Sequence, residues 1–171
     1  MKLCVTHCGG GKNPGVLPPQ EMYTSPRINR FVKRCQARNV SWAILSAKYG
    51  LFFPEQRRQS YDVTIRRSRQ HMGCLLNIRV VERSKRLGNQ ESTGHVKGLS
   101  QHIQDQIKAG QIDQIVFWYE ARRPDAYIAL LHYAVEGCEL LPPGKDELEP
   151  HLRVCAKAGR LKLICDLDLI E

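Results

Sequence analysis

The end of the first predicted strand carries residues suited to binding an anion. Residues 8–13 read Cys-Gly-Gly-Gly-Lys-Asn. Successive glycines allow backbone conformations that other residues avoid, so the N–H groups of Gly9, Gly10 and Gly11 could converge on a phosphate. Lys12 would add a positive charge, whereas a mobile turn is the alternative interpretation. The segment is not a Walker A loop, since Asn13 stands where that loop needs Ser or Thr.

Four side chains are candidates for catalysis. Cys8 lies beside Lys12 and the glycine amides, which would favour a nucleophilic thiolate; alternatively, it only packs in the core. Lys12 could bind an anion or, if desolvated, act as a nucleophilic amine. Asp62 could act as a general base, orient a ligand, or belong to an ordinary turn. Glu120 is a second candidate for acid–base chemistry.

Polar residues also follow the next two predicted strands. After the second strand come a hydroxyl, a cation, an aromatic ring and a turn-forming glycine, namely Ser46, Lys48, Tyr49 and Gly50. After the third strand, Arg122 and Arg123 precede a proline that is typical of a helix start. A helix N-terminus beside two guanidinium groups would suit a phosphate. An ordinary strand exit and a solvated turn are the alternatives.

Alternating strands and helices must position these residues. Short apolar runs predict strands at residues 2–7, 41–46 and 113–119, with further strands at 138–141 and 161–166. Helices are predicted from Ser25-Pro26, before Gly110, and from Pro124 to about Gly137. This pattern predicts one three-layer α/β domain over residues 1–171, with a mostly parallel central sheet and helices on both faces. In such sheets ligands bind outside the carboxyl ends of the strands.

The net charge of +9 is concentrated in residues 57–86, which hold nine Arg or Lys and two acids. Residues 63–87 show an apolar stripe with helical spacing, and we expect a basic helical insertion at about 57–110. Arg69 and Arg83 project onto that stripe, so either the helix breaks near Gly73 or these arginines face a groove that binds a ligand. The candidate nucleic-acid-binding residues are Arg66, Arg69, Arg79 and Arg83. A solvated basic face is the alternative to phosphate binding.

Composition excludes several classes of protein. The seven cysteines are irregularly spaced without a CxxC pair, so neither a disulfide framework nor a structural metal site is expected. The sequence carries no signature of a cofactor. No apolar run is long enough to span a membrane, and no signal peptide is visible, so we expect a cytoplasmic protein.

Four motifs in the first part of the chain resemble a bacterial and phage family of unknown function. They are Cys8-x-x-x-Lys12, Met22-Tyr23-Thr24-Ser25-Pro26, Trp42-Ala-Ile-Leu-Ser-Ala-Lys-Tyr-Gly-Leu51, and Pro54 with Ser60-Tyr61-Asp62. The resemblance covers roughly residues 3–65. The Cys-x-x-x-Lys and Tyr-x-Ser elements are also similar to the archaeosine-synthase domain, and more distantly to the uracil-DNA-glycosylase-like α/β fold.

The resemblance implies that Cys8, Lys12, Tyr23 and Ser25 line a pocket for a base or nucleotide. The archaeosine-synthase motif has Pro-Tyr directly after its lysine, whereas Asn13-Pro14 follows here. The leading prediction is an enzyme that modifies a nucleobase or nucleic acid, of glycosylase, transglycosylase or base-decorating type. A non-catalytic nucleic-acid-binding module and a small-nucleotide hydrolase or transferase are the alternatives.

Overall fold

The computed structural model describes residues 1–67, 78–82, 96–120, 125–136 and 160–170. The strands in these ranges are β1 (Lys2–His7), β2 (Val16–Leu17), β3 (Trp42–Ser46), β4 (Gly50–Phe52), β5 (Arg58–Gln59), β6 (Val63–Arg67), β7 (Ile78–Glu82), β8 (Gln114–Trp118) and β9 (Leu161–Ile164). The helices are α1 (Pro19–Met22), α2 (Pro26–Ala37), α3 (Val96–Ala109) and α4 (Asp125–Glu136), with a 3-10 turn at Leu167–Leu169.

Five strands form one mixed sheet in the order β4-β3-β1-β8-β9. β1 pairs in parallel with both β3 and β8, and β8 pairs in parallel with β9. At the edge, β4 runs antiparallel to β3. The strands predicted at residues 2–7, 41–46 and 113–119 are therefore confirmed, and they are neighbours in the sheet. Two antiparallel ribbons, β2-β5 and β6-β7, lie outside it.

Helices pack on both faces of the central sheet. On α2, Phe31 stacks on Trp118 and meets Trp42 edge to face, with ring centroids 5.9 and 6.4 Å apart. His7 lies on the opposite face of the sheet, and its ring centroid is 5.2 Å from that of Tyr127 on α4. The apolar stripe predicted for α2, ending at Cys35, is buried as expected.

The predicted helix over residues 63–87 is wrong wherever the structure describes it. Val63–Arg67 and Ile78–Glu82 are two strands of an antiparallel ribbon. Val63 and Ile65 are buried while Thr64 is half-buried, which is the two-residue period of a strand. The last part of the expected insertion includes α3, Val96–Ala109, which is helical as predicted. The strand predicted at 138–141 lies outside the described residues.

No helix in the described ranges is both long enough and apolar enough to cross a membrane.

Candidate functional site

The parallel sheet brings the ends of β1 and β3 together. His7 is in register with Leu45, and the backbone N–H of Cys8 donates to the Leu45 carbonyl over 3.0 Å. Cys8 and Ser46, predicted from two separate parts of the sequence, therefore leave adjacent strands at the same edge. This edge carries a group of side chains that we call the cluster, namely His7, Cys8, Lys12, Tyr23, Arg27, Ser46, Tyr61 and Tyr127.

The glycine loop is held against the start of α2. Lys12 and Tyr23 form an antiparallel bridge, and the N–H of Thr24 donates to the Gly11 carbonyl. A side chain at Gly11 would meet Thr24 Oγ1 at 2.4 Å, and one at Gly9 would meet Ser25 Cβ at 3.3 Å. Neither glycine has a positive φ, nor does Gly10. Close packing against Thr24 and Ser25, rather than a left-handed backbone, therefore favours glycine at Gly9 and Gly11.

Three buried hydroxyl groups form a chain across the cluster. Ser46 Oγ accepts from the backbone N–H groups of Lys48 and Tyr49 over 3.1 and 3.0 Å. Since these bonds occupy both lone pairs of Ser46, its O–H donates to the Tyr61 hydroxyl 2.7 Å away. The Tyr61 hydroxyl is 2.7 Å from that of Tyr23. One hydrogen of this tyrosine pair is therefore left without an acceptor among the described residues, and could bond a ligand.

The tyrosines of the cluster are held in their neutral form. Tyr23 is 2% exposed and Tyr61 is 9% exposed. Burial is the largest cause that raises the pKa of each of these phenols well above its usual value. Both hydroxyls can therefore donate hydrogen bonds throughout the physiological pH range.

Lys12 places a positive charge on this tyrosine pair. Its Nζ lies 4.4 Å from the ring centroid of Tyr61 and 5.7 Å from that of Tyr23. It donates to the Gly9 carbonyl over 3.1 Å, and it forms no ion pair with any carboxylate in the described ranges. The carbonyl oxygen and the two ring faces all attract positive charge, yet none of them neutralises it. This arrangement suits Lys12 as an anion ligand better than as a nucleophilic amine.

The Cys8 thiol is paired with a hydroxyl from α4. Cys8 is 7% exposed, and its Sγ lies 3.2 Å from the Tyr127 hydroxyl. That hydroxyl also bonds the Thr64 side chain and the Ile65 backbone, both of which act to lower the Tyr127 pKa, as donors to its oxygen do. Burial is nevertheless the largest cause, and it raises that pKa overall. Either the hydroxyl or the thiol can donate in the contact between them.

Arg27 brings a second cation to the same edge. Its guanidinium donates to Thr6 Oγ1 and to the His7 carbonyl, and it lies 5.8 Å from the Trp118 ring. Burial lowers the Arg27 pKa from its usual value, while Cys8 and then Glu120 act in the opposite direction. Burial, followed by the charge of Arg27, lowers the pKa of His7 to about 3. His7 is therefore a neutral member of the cluster.

The other predicted residues lie at the rim or further out. Tyr49 is half-buried, with its ring 5.2 Å from that of Tyr61, and Lys48 is exposed beside it. The Asp62 carboxylate is exposed and has no hydrogen bond or ion pair within the described ranges. Glu120 is exposed and pairs with Arg30.

Several predicted arginines fall where little or nothing is described. Arg69, Arg83, Arg122 and Arg123 lie outside the described residues. Arg66 and Arg79 are directly opposite each other in the β6-β7 register. β6 starts two residues after Tyr61, so this ribbon begins beside the cluster.

A cavity of about 570 Å³ opens at the opposite end of the sheet. It is lined by residues near the starts of β1 and β3, including Met1, Leu3, Ser41 and Trp42. The sequence predicted a crevice only at the carboxyl ends. The described residues hold no group of three or more side chains suited to bind a metal ion.

Sequence reasoning missed three members of the cluster. Arg27 belongs to an amphipathic helix and Tyr127 to a largely apolar one. The sequence pattern therefore indicated an ordinary helix residue at each position, not a member of a site. Tyr61 was noted only beside Asp62, and the structure buries the tyrosine and exposes the carboxylate. The signal that could have identified Tyr61 is its place in the Ser-Tyr-Asp motif.

The fold and the site define an α/β protein with cations, hydroxyls and a thiol at the carboxyl ends of its central strands. The chain belongs to the family described as "Family of unknown function (DUF6884)", which matches residues 3–112. That range includes the glycine loop and the hydroxyl chain, whereas Tyr127 lies beyond it. No curated protein and no solved structure matches the chain significantly.

Proposed function

We propose that this protein is an enzyme that binds a nucleotide unit at the carboxyl ends of β1 and β3 and modifies its base. The observation that carries the proposal is the setting of Lys12, a half-buried cation on two tyrosine rings with no carboxylate partner among the described residues. Such a charge favours an anionic ligand, and a phosphate-bearing one fits a site that also offers aromatic rings and hydroxyl donors.

The other side chains have separate roles in this proposal. Arg27 adds a second positive charge for the phosphate, and the Tyr23–Tyr61 pair donates a hydrogen bond to the base. Cys8 is the candidate nucleophile, because the Tyr127 hydroxyl stabilises negative charge that develops on the sulfur. A glycosylase, a transglycosylase and a base-decorating enzyme are all consistent with these roles.

The proposal includes the three-layer, mostly parallel arrangement expected from the sequence. This arrangement is supported by three parallel strand pairings and by helices that contact both faces of the sheet. Cys4, Cys8, Cys35 and Cys165 are unpaired, which supports a reducing compartment such as the cytoplasm.

Binding of nucleoside 5′-monophosphates tests the role of Lys12. We expect Lys12→Ala to weaken binding about tenfold or more, since a hydrogen bond to a charged group contributes about 1.5–3 kcal/mol. Lys33→Ala is the matched control, because Lys33 is an exposed lysine on α2. Isothermal titration calorimetry gives the affinities. Equal binding by wild type and Lys12→Ala would contradict the proposal.

Modification is tested by mass spectrometry of nucleosides after incubation of RNA, DNA or free nucleotides with the protein. We expect a changed base with wild type and none with Cys8→Ser. One observation favours the alternative of a non-catalytic binding module: the β6-β7 ribbon, with Arg66 opposite Arg79, starts beside the cluster. Nucleic-acid binding that is unaffected by Lys12→Ala and yields no product would support that module.

A further inference from the structure

Two exposed cations flank the ring of Tyr49 at the rim of the cluster. Lys48 Nζ and Arg58 Cζ lie 5.6 and 5.7 Å from the Tyr49 ring centroid. Both cations are exposed, and the ring is half-buried. We call Lys48, Tyr49 and Arg58 the outer strip. The sequence indicated Lys48 and Tyr49 as candidates, whereas Arg58 is added by the fold.

The ring at the centre of the outer strip is fixed in place. The Tyr49 hydroxyl donates to the Gln59 carbonyl over 2.7 Å. Its ring meets Phe52 and Tyr61 edge to face, with centroids 5.9 and 5.2 Å apart. A fixed ring reduces the conformational freedom of the cations that lie on it, so they lose less entropy when a ligand binds.

The outer strip is unneutralised and continuous with Lys12. Neither Lys48 nor Arg58 forms an ion pair with a carboxylate in the part of the chain that the structure describes. Lys12 lies 4.4 Å from the Tyr61 centroid, which is 5.2 Å from that of Tyr49. Together with the distances from the Tyr49 centroid to Lys48 and Arg58, these distances place Lys12 within about 15 Å of both outer cations.

We propose that the outer strip binds backbone phosphates of a single-stranded nucleic acid, so that the unit held at Lys12 belongs to a strand. This inference rests on the proposed function. Cations interleaved with aromatic rings are how proteins bind single strands without sequence preference. The Cys8 thiol is 7% exposed, and a base stacked inside a duplex does not reach such a buried group.

The test measures fluorescence anisotropy of labelled single strands of about twelve nucleotides, DNA and RNA, across a salt series. The variant is Lys48→Ala/Arg58→Ala. The control is Lys33→Ala/Arg38→Ala, which removes the same charge from exposed residues of α2 and its end. Circular dichroism shows that both variants are folded.

We expect the outer-strip variant to bind the strand at least about tenfold more weakly at low salt. Its salt slope should fall by about 1.4, since each lost phosphate contact contributes about 0.7 for single strands. The control should keep the wild-type affinity and slope. Equal losses in both variants, or none in either, would overturn the inference.

Two competitors test which polymer the outer strip recognises. We expect unlabelled single strand to displace the probe well, and both duplex of equal length and polyglutamate to displace it poorly. Duplex that competes as well as single strand would overturn the single-strand assignment. Polyglutamate that competes equally would show a general anion surface and overturn the nucleic-acid assignment.

Failure of the inference and failure of the proposed function give different results. If a base is modified in free nucleotides, and Lys48→Ala/Arg58→Ala changes neither that reaction nor strand binding, the outer-strip inference fails and the proposed function stands. If the double variant loses strand binding but wild type modifies no base, the outer strip is confirmed as a binding surface and the proposed function fails.

Discussion

Tyr61 is the residue on which the cluster depends most. Its hydroxyl lies between those of Ser46 and Tyr23, and its ring contacts both Lys12 and Tyr49. It therefore links the glycine loop of β1 to the turn after β3, two segments that are distant in sequence. Loss of its hydroxyl would leave two buried hydroxyl groups with fewer partners than they have now.

Tyr61→Phe should lower the free energy of unfolding by about 1–3 kcal/mol, the cost of leaving buried polar groups unsatisfied. Urea denaturation measures the difference. Tyr119→Phe is the control, since Tyr119 is half-buried and makes no side-chain hydrogen bond within the described ranges. If the two substitutions had the same small effect, the hydroxyl chain would not contribute to stability.

At the scale of residues, the sequence indicated some of the side chains that gather, but neither the full set nor how they are paired. Cys8, Lys12, Tyr23, Ser46 and Tyr49 all lie in the cluster or at its rim, as the strand-end rule and the resemblance predicted. Their partners were not predictable, because a hydrogen bond between residues far apart in sequence depends on the register of the sheet. Asp62 remains a candidate only by its place in the motif.

At the scale of elements, the turn from β3 to β4 is fixed by one glycine. Gly50 has φ +67°, and a side chain there would meet Gln106 Oε1 at 2.5 Å and Ile103 at 3.0 Å. Gln106 in turn accepts from the Leu51 N–H and donates to the Leu51 carbonyl. The tight turn predicted from Gly50 is confirmed, and α3 adds a second reason for glycine.

Gly50→Ala should destabilise the protein by more than about 1 kcal/mol, because both the backbone conformation and the space disfavour a methyl group. Gly10→Ala is the matched control, since Gly10 lacks a positive φ and has no atom within 4 Å of the added carbon. Thermal unfolding compares the two variants. A loss at Gly10 equal to that at Gly50 would contradict this account.

The β6-β7 ribbon shows where a periodic pattern misleads. Ile65 and Val80 fit one helical stripe, yet in the structure they are cross-strand partners. A spacing that satisfies a helix can also arise when two strands fold back on each other. Local sequence does not separate these possibilities, because strand pairing is a contact between distant residues.

At the scale of the whole molecule, the carboxyl-end cluster carries buried groups that respond to pH. The buried Nδ1 of His7 has no hydrogen-bond partner among the described residues, and Arg27 and Tyr127 are its polar neighbours. Its pKa is about 3 in the folded protein, against about 6.5 in an unfolded chain. The unfolded state therefore binds the extra proton first as the pH falls.

The contribution of His7 to stability should be present above pH ~6.5 and decline as the pH falls toward ~3. Between pH ~7 and ~5 the loss should be about 2 kcal/mol. Urea denaturation at both values compares wild type with His7→Gln, in which this loss should disappear. His102→Gln, at an exposed position on α3, should keep the wild-type pH dependence. An unchanged dependence in His7→Gln would refute the prediction.

Sequence patterns alone were enough to predict the α/β class, the three central strands, the helices α2, α3 and α4, and the edge of the sheet where polar residues gather. These predictions follow from apolar periodicity, helix-end signals and the geometry of parallel sheets, all of which are local or general. The folded structure was needed to find the hydroxyl chain through Tyr61, the Cys8–Tyr127 pair, the position of Arg27 and the β6-β7 ribbon. Each is a contact between residues far apart in the chain, which sheet register and helix packing fix together.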